Sequence, residues 1–109
     1  MQKVIREMAD ILDKELHVQK KLLEVSNELT DVVIDGEIEE LDDILKVQQT
    51  MLMTLGKLEE DRIEVAGRLG DEELKITDLI DKAEGELAVR LQKLFEDFTH
   101  VIDEQKRVN

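Results

Sequence analysis

The stretch Val32-Val33-Ile34-Asp35-Gly36-Glu37-Ile38-Glu39-Glu40-Leu41 decides how this chain folds. An aliphatic run stops at Asp35-Gly36 and resumes among acids. Glycine takes the left-handed backbone conformation that closes a helix, and Asp-Gly is a strong turn dipeptide. The carboxylates just after it suit the positive end of a new helix. One helix therefore ends here and another begins. Gly70-Asp71 repeats the signal. Glycine closes the second helix, and Asp71 or Thr77 caps the third, with an irregular or single-turn segment over 71–76.

Outward from these two breaks the spacing is helical. Over 3–34, Val4, Met8, Ile11, Val18, Leu22, Val25, Leu29 and Val32 recur at steps of three and four, with a gap at Glu15. A second stripe through Ile5, Leu12, Leu16, Leu23 and Val33 widens that apolar face. Over 37–69, three rows repeat every seventh residue: Leu41, Gln48, Leu55, Arg62 and Leu69; Ile44, Met51, Leu58 and Val65; and Ile38, Leu45, Leu52, Glu59 and Ala66. Heptad spacing favours near-parallel, coiled-coil-like packing. Over 72–108 the seam is Ile76, Ile80, Ala83, Leu87, Leu91, Leu94, Phe98 and Val101, flanked by Leu79, Arg90, Phe95 and Ile102. The pairs Asp78–Lys82, Glu86–Arg90 and Asp103–Arg107 stand four apart and support an exposed helical face. Each stretch is about 50 Å long at 1.5 Å per residue, and short turns make neighbours antiparallel. The expectation is one all-α domain over 1–109, an elongated antiparallel three-helix bundle running up, down, up.

Composition narrows the function. The 109 residues hold 28 acids against 15 bases, a net charge of −13, with no cysteine or proline and only two aromatic residues, both phenylalanine. No thiolate metal site or disulfide framework can form. Excess negative charge and missing aromatic platforms argue against nucleic acid and anionic membrane surfaces. The runs of large apolar residues are too short to span a bilayer, and Met1 to Asp10 lack the apolar core of a signal peptide. The default is a soluble cytoplasmic protein.

Catalysis has little to use. Ser26 is the one serine and falls mid-helix. His17 and His100 fall on parallel helices with an axial offset of about 15 Å, too far to share a metal or a substrate. Asp31 to Asp42 fits a calcium loop at several positions, but Val33 and the final aspartate break the pattern. No Glu-x-x-His pair and no Gly-rich phosphate loop occurs. No enzyme activity, metal site or cofactor is expected.

The third helix offers more apolar residues than one buried stripe can use. Leu91, Phe95, Phe98 and Ile102 recur at the three- and four-residue steps of a helix-in-groove platform. They either stay partly open as a partner-binding surface or seal the core as its edge. The acid run 35–43 is a solvated helix start or a device for steering partners by charge.

The Gly/Asp break with its acidic-aliphatic restart, Lys46, Gln48 and Gln49, the stretch Leu55 to Arg62, the Leu69–Gly70 ending and Thr77-Asp78-Leu79-Ile80 together resemble the FlgN family. Its members are bacterial flagellar chaperones. The resemblance covers essentially the whole chain and rests on periodicity and turn placement. It implies a cytoplasmic chaperone that binds the C-terminal amphipathic helix of hook-associated proteins, prevents their premature assembly and delivers them to the flagellar type III export apparatus. It also implies client contacts toward the C-terminal end. Family members often continue after the third helix through an Asn-containing stretch implicated in holding the client. Asn109 resembles the first asparagine of that stretch, so the chain is expected to lack this tail. The competing expectation is a structural coiled-coil or bundle segment that forms a homodimer and has no client.

Overall fold

A computed structural model describes residues 2–70 and 74–108. Among these residues the chain is all-helical, with α1 over Gln2–Asp35, α2 over Ile38–Arg68, α3 over Ile76–Lys82 and α4 over Glu86–Val108. The molecule is a rod of 52 × 23 × 20 Å. Its long dimension matches the 34 residues of α1 at about 1.5 Å each.

The first turn forms where the sequence places it. Gly36 has φ +75, and its N–H and that of Glu37 both reach back to the Val32 carbonyl, at 3.0 and 3.3 Å. The second closes at Gly70, with φ +96 and its N–H 3.0 Å from the Gly67 carbonyl. The expected helix start at 72 and the capping Asp71 lie outside the described residues, as does Asn109.

The expected three-helix bundle is corrected to four helices of unequal length. The stretch 72–108 is not one helix. Ala83 turns extended at ψ 155 and Gly85 turns left-handed at φ +58, so the chain breaks between α3 and α4. Gln2 holds the break open. Its side-chain N–H donates to the Lys82 carbonyl at 3.0 Å, and its side-chain oxygen accepts from the Glu84 N–H at 3.1 Å. Two backbone groups that a continuous helix would satisfy internally are thus satisfied from α1. Thr77 is not the cap of α3. The N-cap is Lys75, whose N–H donates to the Asp78 carboxylate at 3.1 Å.

α1 is the shared centre, with α2 packed on one flank and α4 on another. Arg62 meets Glu15 and Arg68 meets Glu7, so α2 runs antiparallel to α1. Arg90 meets Asp10 and Asp13, and the Gln105 amide donates to Gln19 at 2.8 Å, so α4 runs parallel to α1. The core gathers both stripes of α1 with one end of α2 and the inward faces of α3 and α4. Ile5, Met8, Leu79 and Leu91 are its largest fully buried side chains. Because α4 is only 23 residues long, this core occupies one end of the rod. The buried residues of α2 are Leu58, Val65 and Ala66, all in its second half.

Candidate functional site

The helix break creates the site. α3 and the residues leading into it drop into the trough beside α1 and fill its lower part with Leu79 and Leu74, both buried. Above it a cleft of about 470 Å³ stays open. α1 supplies Met8 and Leu12, the segment leading into α3 supplies Leu74, the first turn of α3 supplies Ile76, and α4 supplies Phe95 and Phe98. The walls are mostly apolar; the polar lining is Lys75 and Thr77 on one side and Glu15 of α1 with Arg62 of α2 where they meet.

That pair is the chemistry of the cleft. Arg62 Nε lies 3.3 Å from Glu15 Oε1, and the two side chains are 33% and 15% exposed. The contact is a charge pair rather than an aligned hydrogen bond, and neither atom has a hydrogen-bond partner among the described residues. Burial raises the Glu15 carboxyl above the usual range, and the neighbouring Glu59 adds to the rise. The charge of Arg62 opposes it without cancelling it. A half-buried ion pair of this kind adds little stability but penalises loss of either member. Sequence reading marks both residues only as exceptions, Glu15 as a gap in a stripe and Arg62 as a charge at a heptad position. Opposite charges at two interior positions of antiparallel helices are the signal that would have paired them.

The four residues expected to form an open platform are not equivalent. Leu91 is 0% exposed and belongs to the core, so of the two alternatives it follows the one in which the row closes against the core. Phe98 is half-buried against that core and lines the cleft. Phe95 is 38% exposed at the cleft wall, and Ile102 is 48% exposed one heptad further along α4. Arg90 does not pair with Glu86 along its own helix as expected. It crosses to Asp10 and Asp13 of α1. The side-chain pairing expected for Asp103 and Arg107 lies outside the described residues.

The histidines stay apart. His17 borders a shallow depression with Val18, Thr54 and Leu58, and His100 stands 3.1 Å from Glu104 on its own helix. Among the described residues no group of histidines and carboxylates is arranged to hold a metal ion, and no helix is long and apolar enough to cross a membrane. The described side chains offer a mostly apolar cleft with a half-buried charge pair in its wall.

No curated protein and no solved structure matches this chain. A family model described as FlgN protein matches residues 1–109, the whole sequence. With periodicity, turn placement and an all-helical architecture already in agreement, that full-length match settles the kinship: the chain belongs to the FlgN family.

Proposed function

We propose that this protein is a cytoplasmic flagellar export chaperone. It holds the C-terminal amphipathic helix of a hook-associated protein along α4 and the cleft beside it, keeps that helix from assembling too early, and hands the client to the type III export apparatus. One observation carries the reading. Phe95 and Ile102 stand exposed one heptad apart on the flank of α4, and Phe95 opens directly into a mostly apolar cleft already lined by Phe98. A helix laid there would cover both and complete a bundle whose trough α3 only partly fills. Family membership supports the client class, and the net charge of −13 would keep the complex soluble.

The test uses a peptide of a hook-associated protein's C-terminal helix in titration calorimetry. Covering an exposed phenylalanine is worth on the order of 1.5 kcal/mol or more. Phe95→Ala should therefore weaken binding about tenfold or more. Its melting temperature should stay within a few degrees of the parent. Unchanged affinity, or a tight dimer in light scattering that ignores the peptide, would sink the proposal.

A further inference from the structure

The row Ile38, Leu45, Leu52, Glu59 and Ala66 runs along one flank of α2 at heptad spacing. Its lower end is covered: Ala66 is 2% exposed and packs into the core. Its upper end is bare: Ile38 is 78% exposed, and Leu45 and Leu52 are exposed as well. Val33 and Ile34, at the end of α1, are exposed beside the same turn. The cause is a difference in length. α4 is tied to α1 as far as Gln105 and Gln19, and the remainder of α1 pairs with α2 alone. The far end of the rod is thus a two-helix hairpin with an uncovered aliphatic row.

The charge around that row is mostly negative; the base within its span is Lys46, which stands 3.2 Å from Asp42. Between Lys21 and Lys46 the sequence holds nine carboxylates and no basic residue. The crowding is physical: Glu37 beside Glu40 holds the Glu40 carboxyl above its usual range. This excludes several occupants. A second copy would bring nine carboxylates against nine. A neutral apolar helix would desolvate carboxylates without replacing their counterions. The occupant that satisfies both the row and its rim is a cationic amphipathic helix.

We propose that the bare α1–α2 tip, with Ile38, Leu45 and Leu52 as its apolar row, is a docking surface for a partner protein's amphipathic helix whose apolar stripe is flanked by lysine and arginine. Ile38 to Leu52 spans about 21 Å, so the partner contributes roughly four helical turns. This surface is separate from the cleft at Phe95 and stands without the client reading given above.

The probe is a synthetic helix of about 18 residues with a leucine stripe and Lys/Arg flanks, titrated into the isotope-labelled full chain and followed by amide chemical shifts. Two controls accompany it, one with glutamate flanks and one with the same cationic composition but a scrambled stripe. The expected result is shift changes clustered over 33–52, binding that weakens severalfold once salt passes about 0.15 M, and little binding by either control. The double substitution Ile38→Asp with Leu45→Asp should lower affinity about tenfold or more with helical circular dichroism retained. Asp35→Asn, Glu40→Gln and Asp43→Asn together, which keep the apolar row intact, should lower it as well. Phe95→Ala should leave it unchanged. Equal binding by either control, shifts confined to the Phe95 cleft, no binding at about millimolar peptide, or a concentration-dependent dimer abolished by Ile38→Asp would each overturn the proposal.

Discussion

Arg90 of α4 reaches across the helix interface and places its Nη2 2.8 Å from Asp10 Oδ1 of α1. The same guanidinium also donates to Asp13, through Nη2 and through Nε at 3.1 Å. Asp10 and Asp13 stand three apart on one helix face, and the Arg90 guanidinium between them offsets their mutual repulsion from outside α1. The side chain of Arg90 is 36% exposed, which screens the attraction. Arg90→Gln should cost about 1 kcal/mol, read as a lower urea midpoint. Arg90→Lys should recover only part of it, because an ammonium cannot reproduce the planar fork. A lysine variant as stable as the parent would show that net charge, not geometry, holds α4 here.

Glu15 sets a pH dependence whose sign comes from its burial. Its folded carboxyl titrates above 4.5, the ordinary value that the unfolded chain approaches. Between those two points the folded state binds the proton more readily, so stability falls as pH rises through that window. Lowering the pH from 7 toward 4.5 should therefore stabilise the protein through this group. Glu40 acts in the same direction at the tip, fully exposed, because Glu37 crowds it. Glu15→Gln should flatten the rise in melting temperature on mild acidification. An unchanged pH profile in that variant would assign the effect elsewhere.

The glycines divide into two kinds. Gly56 lies inside α2 with nothing within 4 Å of where a Cβ would stand, so Gly56→Ala should stabilise by up to about 1 kcal/mol. Gly36 has equally open space but φ +75, a conformation that costs an L side chain about 1–2 kcal/mol. Gly36→Ala should therefore destabilise. Chemical denaturation of the two variants side by side gives opposite signs if backbone conformation, not packing, decides.

Leu91 and Phe95, four apart on α4, should respond oppositely in two assays. Leu91→Ala empties a fully buried site and should cost about 2–5 kcal/mol. Phe95→Ala removes a side chain that is more than a third exposed and should cost under about 1.5 kcal/mol, its main effect falling on client affinity. Comparable losses of stability in both would make Phe95 a core residue.

What the sequence made legible was the part of the fold written in local chemistry. Gly36 and Gly70 end helices because their backbones must turn left-handed, and no tertiary contact is needed to see it. The break at Ala83–Gly85 was hidden because the apolar seam runs straight across it. Ile80, Ala83 and Leu87 all pack on the core, as they would in one unbroken helix. Gly85 was the available cue, set among residues whose charges suit a helix, and the partner that stabilises the break is Gln2, more than eighty residues away. The candidate site was legible only in part for a related reason. Periodicity gave the four positions on α4, but which of them close against α1 depends on where α4 starts, and the break sets that start. Arg90 obeys the same logic, since i,i+4 spacing offered Glu86 while the helix crossing supplied two aspartates of α1.

The clasp of Gln2 on Lys82 and Glu84 also sets an order of events during synthesis. Gln2 is polymerised about eighty residues before its backbone partners. At about 5–20 residues per second that is an interval of roughly 4–16 s. During it α1 and α2 can close on each other while Ile5, Ala9, Leu12 and Leu16 wait for the last third of the chain to arrive. The nascent hairpin therefore passes through a stage in which the stripe destined for the core lies open at the end made first.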